Sequence, residues 1–375
     1  MKDKIVSFIL VLIVVIMIGA IGIFGYAIYT EMVEEGAIQI NFEGENGYPS
    51  IEYKSDGESS TTASLDEGMF SGVEDENKNN SETTEKQQYR YLYNQLNDTA
   101  KTIYDKLYEN KENLKTGAYT IKFGNSFQNL LSMQNGDAEL KRQYQSAIEA
   151  LIYENPDIFY LDATSMYINI EKITKITGTT YNVYINNGSK VSYLAEGFNS
   201  KQEVEAYEAQ IESVKQYILS MVEGKNDYDK IKIVHDYLID TIEYDSTISE
   251  NNIYNIYGAL VSRKCVCEGY AKAFQYLMNE IGIENVIVIG TGTNSNNQTE
   301  NHAWNYVKLN GKWYAIDTTW DDPIIIGNGR VSDESRYKYF LKGSRTMSQN
   351  HFTSGKFTDG GQEFVYPELS VEDYE

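Results

Sequence analysis

Cysteine and histidine are scarce in this chain: 375 residues hold two of the first and three of the second. The two cysteines, Cys265 and Cys267, stand one residue apart, where a bridge between them would be strained, so no disulfide framework is expected. C-x-C spacing with scattered histidines does not match the ligand spacings of zinc sites, and no metal or other cofactor is expected. Basic residues are few as well. Lys and Arg number 32 against 55 Asp and Glu, a net charge of −23, and that sign argues against a nucleic-acid partner. No G-x-S-x-G elbow offers a serine nucleophile. The run Gly290 to Asn297 (GTGTNSNN) lacks the third glycine and the following helix of a dinucleotide loop. What is left is thiol, imidazole and carboxylate chemistry, gathered between Lys264 and Asp321.

Ala303 to Leu309 and Lys312 to Asp317 alternate, are rich in Trp, Tyr, Val and Ile, and are separated by Asn310-Gly311. That dipeptide suits a two-residue hairpin turn because both turn positions need positive φ. Leu309 then faces Lys312, Val307 faces Tyr314, Trp304 faces Asp317 and His302 faces Thr319. His302 and Asp317 become diagonal neighbours on one face, roughly 7 Å apart at the backbone. Val307, Leu309, Tyr314 and Ile316 form the opposite, core face. A slip of one residue would break the pairing. Upstream, Tyr270, Ala271, Phe274, Leu277, Met278 and Ile281 follow helical spacing to a stop at Gly282. Cys267 therefore sits in a first helical turn, where free N–H groups and the helix dipole favour a thiolate. Thiolate, imidazole and carboxylate make a nucleophile, base and orienter. The plainer alternative is a buried cysteine and a core histidine that never meet. Trp304, opposite Asp317, either lines the substrate pocket or packs as a ribbon aromatic. Cys265 reads as a buried small residue. His235 and His351 read as hydrogen-bonded structural histidines, and Gly290 to Asn297 as a plain loop or a flap over the site.

The blocks C-x-G-Y-A-x-A-F, H-A-W-N and W-Y-x-I-D-x-T-W-D-D-P resemble the transglutaminase-like superfamily in its bacterial extracytoplasmic branch. The runs HDYLIDTIEYD (His235 to Asp245), YGAL (Tyr257 to Leu260) and YFL…H (Tyr339 to His351) are similar to the same branch. The resemblance covers about residues 200 to 355. It implies a papain-like core with Cys267 as nucleophile, His302 as base and Asp317 as third member. The calcium-dependent animal enzymes carry G-Q-C-W where this chain has C-V-C-E, so calcium activation is not implied. Val261 stands six residues before Cys267, so the oxyanion glutamine of papain has no counterpart. Tyr257 or a backbone amide is expected in its place.

Ile5 to Thr30 is 26 residues without a charge. At ~1.5 Å per residue it is ~39 Å long, enough to cross a ~30 Å hydrocarbon layer as a signal anchor. Lys2 and Lys4 before it, and Glu31, Glu34 and Glu35 after it, place the N-terminus in the cytoplasm and the remainder outside the cell membrane. Asn41 to Lys86 holds 12 acidic residues against 3 lysines and hardly any apolar pattern, which reads as a disordered tether. Residues 87–198 read as a small α+β domain without evident chemistry. Residues 199–375 read as the catalytic domain, entered through two amphipathic helices (Val204 to Met221 and Ile231 to Ile242). The sequence-level expectation is thus an α+β protein with a tail (1–4), an anchor (5–30), a linker (31–86) and two domains. Its centre is a Cys-bearing helix packed on an antiparallel sheet that bears His and Asp. Its expected activity is acyl transfer on an amide of a protein or peptide, cell-wall peptide included. The other expectation is an idle wall or division scaffold of the same fold.

Overall fold

Asn310 and Gly311 both take positive φ, 51° and 78°, and close a two-residue turn. From that turn the register runs as the sequence dictates, with Lys312 opposite Leu309, Tyr314 opposite Val307 and Ile316 opposite Asn305. In the computed structural model the described residues are 39–40, 51–52, 90–248, 250–322 and 333–375. The chain divides into two units, 1–81 and 82–375. In the first, Gln39–Ile40 pairs antiparallel with Ile51–Glu52. All that follows concerns the second.

Its elements are α1 (Asp98–Glu109), β1 (Ile121–Gly124), α2 (Gly136–Glu154), β2 (Tyr167–Lys175), β3 (Gly178–Asn186), α3 (Lys201–Val222) and α4 (Asp227–Thr241). They continue with α5 (Cys267–Ile281), β4 (Asn285–Thr293), β5 (Thr299–Leu309), β6 (Lys312–Ile316), the single turn α6 (Thr318–Asp321) and β7 (His351–Thr353). Two antiparallel sheets, ordered β1-β3-β2 and β6-β5-β4-β7, together with the helices, make an α+β fold.

The expected core face of the β5–β6 ribbon is buried, but the other face is covered too. Val307, Leu309, Tyr314 and Ile316 are buried, and so are Trp304, Tyr306 and Ala315. On the first face α5 packs through Ala271 against Ile287 and Ala303, and Asn305 Nδ2 donates to the Ala271 carbonyl. On the second, Tyr366 meets Tyr306, Tyr91 meets Trp313, and His351 meets Trp304.

Gly290 to Thr293 is a strand rather than a loop or flap. It pairs with β5 on one side, and Gly290 to Gly292 also pair with β7 on the other. A side chain at Gly290 would collide with the Phe352 carbonyl, so the glycine that looked like loop punctuation is what admits the edge strand. The run from Leu92 to Leu107 does not form one continuous helix. Asn97 adopts an extended conformation and its side chain accepts from Ala100 N at 2.9 Å, starting α1 afresh.

The span expected over residues 5–30 lies outside the described residues. The single-pass membrane location read from it is corrected: among the described residues no helix is long and apolar enough to cross a membrane. The longest of them, α3, has the length, but its charged residues, Lys201, Glu203, Glu205 and Glu208 among them, leave it too polar.

Glu154, at the end of α2, is buried and accepts from Leu92 N, Tyr93 N and Tyr104 Oη. Burial outweighs these donors and pushes its carboxyl up to about 8. The folded state thus holds this proton more tightly than the unfolded chain, so the stability it contributes in acid is lost as pH rises from about 4.5 to about 8. Glu154→Gln, which keeps an acceptor and sheds the charge, is expected to flatten that fall by a few kcal/mol, on the order of the linkage for such a shift. Urea midpoints at pH 5 and pH 8 check this, and equal slopes in both proteins would refute it.

Candidate active site

Cys267 is the first residue of α5. Val266 before it is extended and offers no side-chain cap, so the first-turn N–H groups have no capping side chain. Beneath this turn lies Cys265, fully buried in a short parallel pairing of Lys264–Cys265 with Glu243–Tyr244. The approach is so close that a Cβ at Gly269 would stand 2.6 Å from that of Cys265, which accounts for the glycine of the C-x-G-Y motif. Burial pushes the Cys265 thiol up, helped by Cys267 and Asp322. Both cysteines are free.

His302 lies on β5 and Asp317 just beyond β6; the ladder ends at Ile316 opposite Asn305, so the expected pairs Trp304–Asp317 and His302–Thr319 do not form, because Asp317 starts a helical turn instead. His302 Nε2 stands 2.7 Å from Asp317 Oδ2, both groups being buried. The Cys267 side chain acts on the same imidazole and helps to raise its pKa. With Nε2 on the carboxylate, the nitrogen left for sulfur is Nδ1. Burial disfavours charge on His302, but Asp317 and Cys267 outweigh it and push the imidazole up to about 10. Burial also opposes charge on Asp317, yet His302 and His351 hold this carboxyl well below the usual carboxylate range. Its other oxygen, Oδ1, caps α6 by accepting from Thr319 N at 3.0 Å and Trp320 N at 3.1 Å. The Trp320 ring stacks on His302 at 5.0 Å. A Cβ at Gly292 would strike that indole at 2.7 Å, so this glycine too belongs to the site.

Two expected substrate-binding residues are placed elsewhere. Trp304 is 1% exposed and packs against His302 and His351, so of its two readings the packed aromatic is the one observed. Tyr257 stacks on Tyr207 of α3, ring centroids 4.3 Å apart, and is not among the residues that line the cleft beside His302. His235 is the structural histidine expected, with Asp321 Oδ2 3.0 Å from Nε2 and Asp236 Oδ1 3.1 Å from Nδ1. His351 was expected to be structural as well, yet its Nε2 lies 3.0 Å from the same Asp317 Oδ2 that meets His302.

The donor atoms of His302, Asp317 and His351 all fall within 4.8 Å of one another. Hydrogen bonds rather than an ion account for this spacing. Ligands of a tetrahedral zinc with ~2.0–2.1 Å bonds stand roughly 3.3 Å apart, farther than the 2.7 and 3.0 Å contacts here.

A cleft of about 210 Å³ opens beside His302, walled by Tyr244, Glu300, Asn301, Thr319, Trp320 and Asp322. Burial pushes the Asp322 carboxyl up to about 6, against the hydrogen bond from Tyr270 Oη. No lysine or arginine lines the cleft among the described residues. A larger cavity, about 580 Å³, lies between the segment Pro156 to Ala163 and the loop from Glu250 to Asn255, and touches none of Cys267, His302 or Asp317.

The site is thus a cysteine at a helix N-terminus, on a helix packed against an antiparallel sheet that carries histidine with aspartate just beyond it. Residues 215–318 match the model of the transglutaminase-like superfamily, so the chain carries a transglutaminase-like core. Kyphoscoliosis peptidase of Mus musculus is 25% identical over 145 residues, 36% of this chain and 22% of that protein. The chain thus matches about a fifth of the length of that curated relative. Among solved structures, one described as a TGase is 18% identical over 48% of this chain and 50% of its own, with a TM-score of 0.28. A putative cysteine protease from Cytophaga hutchinsonii is 15% identical over 43% of this chain and 68% of its own, at 0.26.

Proposed function

We propose that the chain is a thiol enzyme that transfers the acyl group of a protein or peptide amide through a thioester on Cys267. The observation that carries this is the buried His302–Asp317 pair, 2.7 Å apart, whose imidazole also answers to the Cys267 side chain at the head of α5. Cys267 Sγ adds to the carbonyl carbon, and the S–C bond forms as the C–N bond breaks. His302 gives its proton to the leaving amine, and Asp317 keeps the imidazole oriented and stabilises its charge. The oxyanion is held by first-turn amides of α5, the N–H of Cys267 foremost, since no side chain caps them. His302 then takes a proton from the incoming nucleophile, which displaces the thiolate. An amine gives cross-linking and water gives hydrolysis.

The cleft favours a positively charged partner, because Glu300 and Asp322 line it alongside the rings of Tyr244 and Trp320. The test is the pH dependence of iodoacetamide labelling of the full chain. Fast labelling at pH 6 is expected, lost in Cys267→Ala and slowed in His302→Ala, with Cys265→Ala unaffected. Labelling of Cys267 only above about pH 8, indifferent to His302, is the behaviour of an ordinary thiol and would leave an idle binding scaffold as the reading.

A further inference from the structure

His351 stands beyond the residues matched by the family model, on an edge strand that the chain reaches 34 residues after Asp317. It is buried and opens β7, directly opposite Gly292 of β4. Each of its ring nitrogens has a partner. Nε2 lies 3.0 Å from Asp317 Oδ2, and Nδ1 lies 2.8 Å from Asn350 Oδ1, so both ring nitrogens face acceptors. The Nδ2 of the same Asn350 side chain in turn donates to Tyr339 Oη at 2.7 Å. A hydrogen-bonded run therefore extends from Tyr339 through Asn350, His351 and Asp317 to His302. The ring is also wedged among aromatics, with centroids 4.5 Å from Trp320, 5.0 Å from Trp304 and 5.1 Å from Tyr339.

We propose that His351 is a positioning residue of the thiol site, acting through Asp317 on His302. The proposal rests on the reading of Cys267, His302 and Asp317 given above. Asp317 Oδ1 is committed to two backbone N–H groups of α6, and those fix one end of the carboxylate. Oδ2 receives both imidazoles, so its two acceptor directions are filled. Without the second donor, one lone pair of a fully buried carboxylate would go unsatisfied, and the carboxylate could turn about its Cβ–Cγ bond. His302 would lose the fixed partner that keeps Nδ1 aimed at sulfur. A histidine that only filled space would need neither nitrogen aimed at a particular atom. The Asn350 amide and the Tyr339 hydroxyl hold the ring from behind, which is the outer support that orients a working carboxylate.

The discriminating pair of variants is His351→Gln and His351→Leu in the full chain, read by Cys267 labelling with iodoacetamide at pH 6. Both side chains are near the size of the ring, but only glutamine carries an N–H that can reach Asp317 Oδ2. His351→Leu is expected to label on the order of 10-fold more slowly, as for loss of an outer partner, and His351→Gln to recover most of the rate. In ¹⁵N-histidine-labelled protein the three imidazoles can be followed singly. The His302 Nε2–H signal is expected to persist in the glutamine variant and to broaden or shift in the leucine variant, while His235 stays unchanged in both.

Equal rates in wild type, Gln and Leu would overturn the proposal, and so would equal slowing in Gln and Leu, which would make the effect one of packing. If the leucine variant does not fold, Asn350→Leu replaces it. That change removes the Nδ1 partner, and a wild-type rate and His302 signal would count against the proposal. Failure of the underlying reading looks different, because wild-type labelling would then be indifferent to His302→Ala.

Discussion

Asp317→Asn is expected to leave a folded protein whose acyl transfer is about 10⁴-fold slower, the scale seen when the carboxylate of such a triad becomes an amide. The argument is one of tautomers. Asp317 Oδ1 accepts from Thr319 N and Trp320 N, so an asparagine must keep its carbonyl oxygen there to cap α6. Its NH₂ then falls where Oδ2 was, facing Nε2 of both His302 and His351. Two donors cannot face a third, and His302 must shed its Nε2 proton and carry one on Nδ1, toward Cys267. An imidazole in that state cannot take the thiol proton. The charge that favoured the imidazolium is gone as well, and His302 falls back from its raised value of about 10. With that partner gone, labelling of Cys267 at pH 6 should slow well below the wild-type rate. Because the cap survives, thermal stability should change far less than it would on truncation to alanine. A variant that labels at the wild-type rate at pH 6 would show that Asp317 does not govern the thiol.

The part of this site that sequence discloses is the part that is local. The turn chemistry of Asn310-Gly311 and a side-chain period of two place Asp317 beside His302 with no knowledge of the rest of the chain. The helical spacing after Cys267 likewise puts that residue in a first turn. What joins thiol to imidazole is tertiary, the seating of α5 on β4 and β5 through Ala271, Ile287 and Ala303. His351 was out of reach for the same reason. It arrives on an edge strand whose pairing depends on one glycine of β4, Gly290, that reads, in sequence, as a loop residue. The only trace was the run from Tyr339 to His351 in the family resemblance, which names no role. Sequence left Trp304 with two readings and offered Tyr257 as one of two oxyanion candidates, because proximity along the chain says nothing about which neighbour an aromatic ring will choose. Tyr257 chose Tyr207, and Trp304 turned inward because the second face of the ribbon is covered.

The largest loss of stability is expected from His235→Leu, about 3–5 kcal/mol, the cost of removing one partner of a buried pair. His235 is fully buried between Asp321 and Asp236, and Asp321 is buried as well. Leucine fills the space but leaves the Asp321 carboxylate with the Tyr339 N–H at 2.8 Å as its remaining short partner among the described residues. Asp321→Asn should cost less, since its oxygen can still accept from Tyr339 N while its NH₂ donates to His235 Nε2. Protonation sharpens the test. Burial pushes Asp321 up to about 6, against its bond to His235, while the two carboxylates around His235 overcome burial and raise the imidazole. Both groups therefore hold protons more tightly folded than unfolded. Their contribution is full in mild acid, begins to fall as pH passes about 4 to 6 through Asp321, and falls further above about 6.5 as His235 titrates. Asp236, held down to about 2, runs the other way, and its contribution is lost only as pH drops below about 4. Chemical denaturation between pH 5 and pH 9 should show wild-type stability declining across that range, with the decline reduced in Asp321→Asn. Identical pH dependence in the two proteins would remove the pair from the account. The pair also bears on the chemistry, because Asp321 closes the single helical turn that Asp317 opens. A variant that loosens this turn releases the Thr319 and Trp320 amides from Asp317. His235→Leu should then slow Cys267 labelling even where most of the protein remains folded, and Asp321→Asn should do so less.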